Sequence, residues 1–92
     1  MKTRILRVVK CGEVFSIKIE KSESGQLNKR NIVLKELGGK FENEYAVTLL
    51  GDLAKAELKE GDIIGATLRF QIREYNGQVF QDIVATEMFG LG

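Results

Sequence analysis

The sequence predicts a small all-β domain, and three observations carry that prediction. Apolar and polar residues alternate with a period of two over several segments, which is the pattern of half-buried strands. The dipeptide Asn76-Gly77 separates two such segments and supplies the positive φ angles of a two-residue hairpin turn. With 92 residues, of which 43% are apolar and 29% charged, the chain has the size and composition of one domain, residues 1–92.

The first half of the chain predicts three strands. Phe15, Ile17 and Ile19 alternate with polar residues, which is typical of a strand with one buried face. Polar and glycine-containing segments then separate the apolar runs. In order, these patterns predict a strand at 13–20, a loop at 21–28, a strand at 29–34, a turn at 38–40 and a strand at 45–50. Residues 1–12 carry four basic and no acidic residues, and they predict either an additional strand or a basic arm.

The second half of the chain predicts one helix and two more strands. Asp52 is a suitable helix cap, strong helix formers follow it, and Gly61 is a suitable stop, so a helix is expected over 52–60. Strands are expected over 63–74 and 78–87. The order β-β-β-α-β-β is that of an OB-fold, a five-stranded barrel with one short helix between strands 3 and 4.

The Asn76-Gly77 turn sets the register of the last hairpin, because paired residues project on the same face. One face is expected to be exposed and to carry the pairs Tyr75 with Gln78, Arg73 with Phe80, Gln71 with Asp82, Arg69 with Val84 and Thr67 with Thr86. The opposite face is apolar enough to fill the core, and it comprises Ala66, Leu68, Phe70, Ile72, Val79, Ile83 and Ala85.

The composition argues against catalysis. Histidine is absent and Cys11 is the only cysteine, so His-based acid–base chemistry and Cys/His zinc sites cannot be assembled. Cys11 is expected to be a packing residue. We expect a non-enzymatic protein with no cofactor and no bound metal. The sequence shows no membrane span and no signal peptide, which predicts a cytoplasmic protein.

The net charge of +1 hides a strong asymmetry. Residues 1–41 hold ten basic and four acidic residues, whereas residues 42–92 hold four basic and nine acidic residues. This asymmetry fits a basic face directed toward a polyanion, and it fits equally well two complementary halves that fold onto each other. Lys29 and Arg30 are likewise open to two interpretations, as phosphate contacts or as solvated residues of an edge strand.

The exposed hairpin face combines cations with aromatic rings. Single-stranded nucleic acid requires both, because bases stack on flat apolar surfaces and phosphates pair with cations. Arg69, Arg73, Tyr75 and Phe80 therefore form a candidate binding face. Exposed aromatic residues also mark protein interfaces, so the same face is open to a second interpretation as a contact between subunits.

Several segments follow one another in an order and spacing found in a known family. They are Glu44-Tyr45-Ala46-Val47-Thr48-Leu49-Leu50-Gly51-Asp52-Leu53-Ala54, Lys59-Glu60-Gly61-Asp62, Arg73-Glu74-Tyr75 and Ile83-Val84-Ala85-Thr86-Glu87-Met88-Phe89-Gly90-Leu91-Gly92. In this combination the chain from Tyr45 onward resembles bacterial single-stranded-DNA-binding proteins (SSB). The hairpin segment 73–83 is also similar to short SSB-like domains.

The resemblance implies an OB-fold that assembles as a homodimer or homotetramer and binds single-stranded DNA without sequence preference. It also implies that Tyr75 stacks on a base. The predicted ligand is thus single-stranded DNA, with RNA as the other single-stranded candidate, and the alternative is a protein-interaction module that uses the same face as a subunit interface. The predicted binding residues are Lys29, Arg30, Arg69 and Arg73 for phosphates, and Tyr45, Tyr75 and Phe80 for bases.

Overall fold

Strands make up most of the computed structural model, which describes residues 3–18 and 25–91. In chain order the elements of this part are β1 (Thr3–Cys11), β2 (Phe15–Lys18), β3 (Gln26–Glu36), β4 (Glu44–Leu50), a 3-10 helix (Gly51–Lys55), β5 (Ile63–Tyr75) and β6 (Gln78–Gly90). The end of the predicted first strand and most of the predicted loop at 21–28 lie outside the described residues. β3 begins three residues earlier than the pattern predicted.

Five strands close into a ring, which confirms the predicted OB-fold. β1 pairs with both β3 and β5, β3 pairs with β4, and β5 pairs with β6, all in antiparallel fashion. The ring closes where β4 meets β6 in parallel at Thr48 and Val84. Since residues 3–11 supply one of these strands, they form the additional strand rather than an arm. The strand predicted at 13–20 is β2, which continues the direction of β1 and pairs only with β3 within the described chain.

Alternation along the strands explains the core. In the middle of β1, β3 and β4 every second residue points into the barrel and loses its contact with water. The buried apolar residues that form the core are Leu6, Val8, Ile32, Leu34, Val47, Leu49, Ala54, Ile64, Ala66, Leu68 and Ala85. Apolar burial of this kind stabilises a fold by about 25 cal/mol per Å² of surface removed from water. No helix among the residues described is long and apolar enough to cross a membrane.

The helix predicted over 52–60 is too long. Only Gly51–Lys55 is helical, as a single 3-10 turn, and Ala56 is already extended at φ −60° and ψ 142°. Asp52 does not cap it, because the N-cap residue is Leu50 and no side chain caps the turn. The reason is tertiary packing: beyond Ala56 the main chain is tied to the barrel, where the amide of Val8 donates to the carbonyl of Asp62 at 2.8 Å. The amide of Gly61 donates to the carbonyl of Val8 at 2.7 Å, and a nine-residue helix has little intrinsic stability with which to compete.

The last hairpin follows the predicted turn and most of the predicted register. Asn76 and Gly77 both have positive φ, 51° and 77°, as the two-residue turn requires. Four of the five predicted pairs on the exposed face are present. The fifth is wrong, because Thr67 pairs with Glu87 rather than with Thr86, and the register then shifts by one residue. Thr86 is the extra residue of a β-bulge, which bends β6 where it joins the barrel.

The hairpin extends well beyond the barrel, which corrects the prediction that its whole apolar face fills the core. Ala66, Leu68 and Ala85 are buried as predicted. Further out, Phe70, Ile72 and Val79 lie on the same side but remain 45%, 69% and 63% exposed. The reason is that, within residues 3–18 and 25–91, β1 pairs with β5 only as far as Thr67 and no strand covers the outer part of the hairpin.

Candidate nucleic-acid interface

A cleft of about 420 Å³ lies on the outer surface of the sheet, between the β2–β3 pair and the β5–β6 hairpin. Its floor contains Thr48 and Leu50 of β4 together with Val84 of β6. Strand alternation places these side chains on the side opposite the core, because their neighbours Val47 and Leu49 point inward. The walls are formed by Ile17, Leu27 and Lys29 on one side and by Gln71, Arg73 and Asp82 on the other.

Lys29 supplies a cation in the wall that β2 and β3 form. It pairs with Leu50 of β4 on one side and with Phe15 of β2 on the other, and paired residues share a face of the sheet. Phe15 is 44% exposed, so it adds an aromatic ring to the same surface. The alternation of apolar and polar residues predicted Phe15 on the buried side of a strand. Only the pairing of β2 with β3 shows which way its ring points.

The four residues predicted from the register of the hairpin lie together on one face, and Arg73 also lines the cleft. Arg69, Arg73, Tyr75 and Phe80 lie on one face, which is the face that contributes Gln71 and Asp82 to the cleft. Tyr75 is 66% exposed and Phe80 is 36% exposed. Together with Lys29, the structure thus brings five of the seven predicted binding residues onto a single side of the sheet.

Arg73 and Asp82 form an ion pair within the cleft. Arg73 Nε donates to Asp82 Oδ2 at 2.9 Å, and Nη2 donates to Oδ1 at 3.4 Å. This pairing raises the pKa of Arg73 and holds the pKa of Asp82 below its ordinary value, and the charge of Lys29 contributes a smaller lowering. The guanidinium carbon of Arg73 also lies 4.8 Å from the centre of the Phe80 ring, within the range of a cation–π contact.

Tyr45 lies on the opposite side of the sheet from the cleft, apart from Tyr75 and Phe80, the other two residues predicted to stack on bases. It pairs with the buried Leu34, and its hydroxyl donates to Glu36 Oε2 at 3.0 Å. Its ring meets Phe70 edge to face at a centroid distance of 6.1 Å, with the Arg4 guanidinium 5.8 Å from both ring centres. Burial, followed by the hydrogen bond to Glu36, raises the pKa of Tyr45. These contacts join the base of the hairpin to the barrel.

Arg30 also lies away from the cleft, and its guanidinium is occupied. It lies two residues before the buried Ile32 along β3 and pairs with the buried Leu49 of β4, so it points toward the inner side of the barrel. Its Nε donates to the carbonyl of Gly12 and its Nη1 to the carbonyl of Ala56, each at 2.9 Å. Arg30 thus fastens two connecting segments to β3, and we leave it out of the binding surface.

The residues described contain no group of three or more cysteine, aspartate and glutamate side chains that is placed to hold a metal ion. Cys11 is half-buried, with its Sγ 3.8 Å from the carbonyl oxygen of Leu58. The side chains that line the cleft are cationic, aliphatic, hydroxyl-bearing and amide-bearing, with one carboxylate. The rings of Phe15, Tyr75 and Phe80 lie on the same face of the sheet, beside the cleft. This arrangement offers contacts for an anionic, ring-containing ligand.

The fold is similar to that of a solved OB-fold domain. The solution structure of the second OB-fold domain of replication protein A from Methanococcus maripaludis superposes with a TM-score of 0.70. The similarity covers 97% of this chain and 81% of the other, at 17% sequence identity. No protein-family profile matches the sequence, and no curated protein matches it. The likeness establishes an OB-fold, and the resemblance to bacterial SSB in particular stays a prediction.

Proposed function

We propose that this protein binds single-stranded DNA without sequence preference and performs no catalysis. The observation that carries the proposal is the cleft face, where Lys29 and Arg69 supply cations and where Phe15, Tyr75 and Phe80 supply rings. Positively charged grooves that contain aromatic side chains bind single strands because every base has a face that can stack. A duplex offers no unstacked bases, so it would leave these rings without partners.

The fold supports the same ligand. OB-folds bind oligonucleotides on the sheet face between the first hairpin loop and the last, and replication protein A is among the OB-fold proteins that bind single-stranded DNA. In this chain the corresponding face is the one that holds the cleft, between β2–β3 and the β5–β6 hairpin. We further propose that the protein acts as a homo-oligomer, as its resemblance to SSB implies, and that it acts in the cytoplasm.

A fluorescence titration with oligo-dT, oligo-rU and a duplex at two salt concentrations tests this proposal. Contacts to two or three phosphates give a slope of log affinity against log salt of about −1.4 to −2, at roughly −0.7 per phosphate. Binding to oligo-dT that exceeds binding to duplex and weakens with salt is the expected result. Absence of oligo-dT binding at low salt would refute the proposal, and preference for oligo-rU would change the ligand to RNA.

Substitutions on the two faces of the hairpin provide a matched comparison. Replacing Tyr75 and Phe80 with alanine removes the two rings that the hairpin contributes to the cleft face, and the affinity for oligo-dT should fall at least fivefold. Replacing Ile72 and Val79 with alanine removes similarly exposed apolar groups from the reverse face, and the affinity should stay within twofold of the wild type. Equal losses in both variants would contradict the assignment of the binding face.

The alternative function is a protein-interaction module in which the cleft face is buried between subunits. It rests on the same exposed rings, because Tyr75 at 66% exposure is also a suitable interface residue. Light scattering of the Tyr75→Ala, Phe80→Ala variant distinguishes the two functions. A changed oligomeric state with no DNA binding by the wild type would favour the interface, and an unchanged state with weakened DNA binding favours the cleft.

A further inference from the structure

The guanidinium of Arg73 is held at its edge and on one face. Asp82 accepts hydrogen bonds from Nε and Nη2, which occupy one edge of the planar group. The Phe80 ring lies against it, with 4.8 Å between the guanidinium carbon and the ring centre. The side chain nevertheless remains 58% exposed, and it lines the cleft. Arg73 therefore combines a fixed position with an accessible surface.

The ion pair makes Arg73 a poor ligand for a phosphate. Phosphate binding draws its free energy from a cation that neutralises the backbone charge and releases counterions. Here the carboxylate of Asp82 already neutralises the guanidinium, and it would lie close to any phosphate that approached from the same side. Lys29 and Arg69 have no ion pair with an acidic side chain in the described part of the chain, so phosphates are better served by those two residues.

The same arrangement makes Arg73 a good surface for a base. A guanidinium is planar and weakly hydrated, and unpaired bases stack on it as they stack on aromatic rings. Phe80 supports the group from one side, and Asp82 fixes its edge, so little conformational entropy remains to be lost on binding. We propose that Arg73 is a stacking surface for a nucleobase, with Phe80 as its support and Asp82 as its positioning residue. This inference rests on the proposed function.

Two variants that conserve the net charge test the assignment in the full chain. Arg73→Lys keeps the cation beside Asp82 but removes the plane, and the double variant Arg73→Ala, Asp82→Ala removes the ion pair as a neutral unit. Both should lose affinity for oligo-dT by roughly fivefold to 150-fold, the cost of one lost base stack. Both should keep the salt slope of the wild type. Lys29→Ala is the control, and its slope should become shallower by about 0.7.

A phosphate contact at Arg73 predicts different results. Arg73→Lys would then bind within twofold of the wild type, and the double variant would lose about 0.7 of the salt slope. If the wild type binds oligo-dT, either of these results overturns the role of Arg73 as a stacking surface and leaves the proposed function intact. A wild type that does not bind oligo-dT overturns both. Circular dichroism of each variant, matched to the wild type, confirms that the fold is retained.

Discussion

Lys29 and Arg30 are adjacent on β3, and we expect Lys29 to serve ligand binding and Arg30 to stabilise the fold. Replacing each residue with alanine tests this difference. Arg30 donates two hydrogen bonds of 2.9 Å to main-chain carbonyls, whereas Lys29 points into the cleft. A hydrogen bond that involves a charged group contributes about 1.5–3 kcal/mol. Because the site is half-buried, we expect Arg30→Ala to lower the free energy of unfolding by about 2–3 kcal/mol in total. Lys29→Ala should change it by less than about 0.5 kcal/mol.

Thermal unfolding followed by circular dichroism measures the difference. For a domain of this size, 1 kcal/mol shifts the Tm by roughly 4–8 °C, so Arg30→Ala should melt about 8–24 °C below the wild type. At a temperature where both variants are folded, Lys29→Ala should weaken oligo-dT binding and Arg30→Ala should not. The assigned roles are wrong if Arg30→Ala has the same Tm as the wild type and weakens oligo-dT binding more than Lys29→Ala does.

Three further predictions test the barrel and the cluster at the base of the hairpin. Leu6→Ala should lower the free energy of unfolding in urea by about 2–5 kcal/mol, since Leu6 is 1% exposed in β1. A negligible change would contradict the role of residues 3–11 as a strand of the barrel. Gly12→Ala should lower the free energy of unfolding by about 1–3 kcal/mol in the same assay, because a new Cβ would lie 2.6 Å from the main-chain oxygen of Asn31, which β3 holds in place. A variant as stable as the wild type would contradict this close approach of the two segments. In a Tyr75→Phe variant, ultraviolet absorbance reports Tyr45 alone, and its titration midpoint should lie above the ordinary 10.0. Since the pKa of Tyr45 is raised on folding, the neutral phenol favours the folded state, and its contribution to the free energy of unfolding is complete below pH 10.0 and is lost as the pH rises through the folded-state pKa. A titration midpoint at or below 10.0 would contradict the contact with Glu36.

The sequence predicted the hairpin well because the signal there is local. Asn76-Gly77 fixes a turn, and the turn fixes the pairs closest to it, such as Tyr75 with Gln78. The prediction failed at Thr86, where a bulge inserts one residue between pairs that are far from the turn. A bulge depends on how the strand must bend to close the ring, and the residue type at that position does not predict it.

The positions of Tyr45 and Arg30 away from the cleft could not be predicted from the sequence, for a different reason. Residue type indicates what a side chain can bind, but the side of the sheet on which it lies follows from long-range pairing. Tyr45 shares its side with Val47 and Leu49, whose burial is a property of the closed barrel. Arg30 is occupied by carbonyls of Gly12 and Ala56, which are distant in the sequence. The position of Phe15 beside the cleft was not predicted for the same reason, since only its pairing with Lys29 shows that it lies on that face.

The position of the hairpin explains why its residues can serve a ligand. The ring is already closed by the pairs of Thr67 with Thr3 and of Thr48 with Val84, so the strands beyond those pairs are not needed to complete the core. Residues 69–81 are all exposed, on both faces of the hairpin. Arginine and aromatic side chains can therefore be held in place by the two-stranded pairing without being buried by it. Arg73 illustrates the result, because Asp82 and Phe80 from the neighbouring strand fix a group that solvent still reaches.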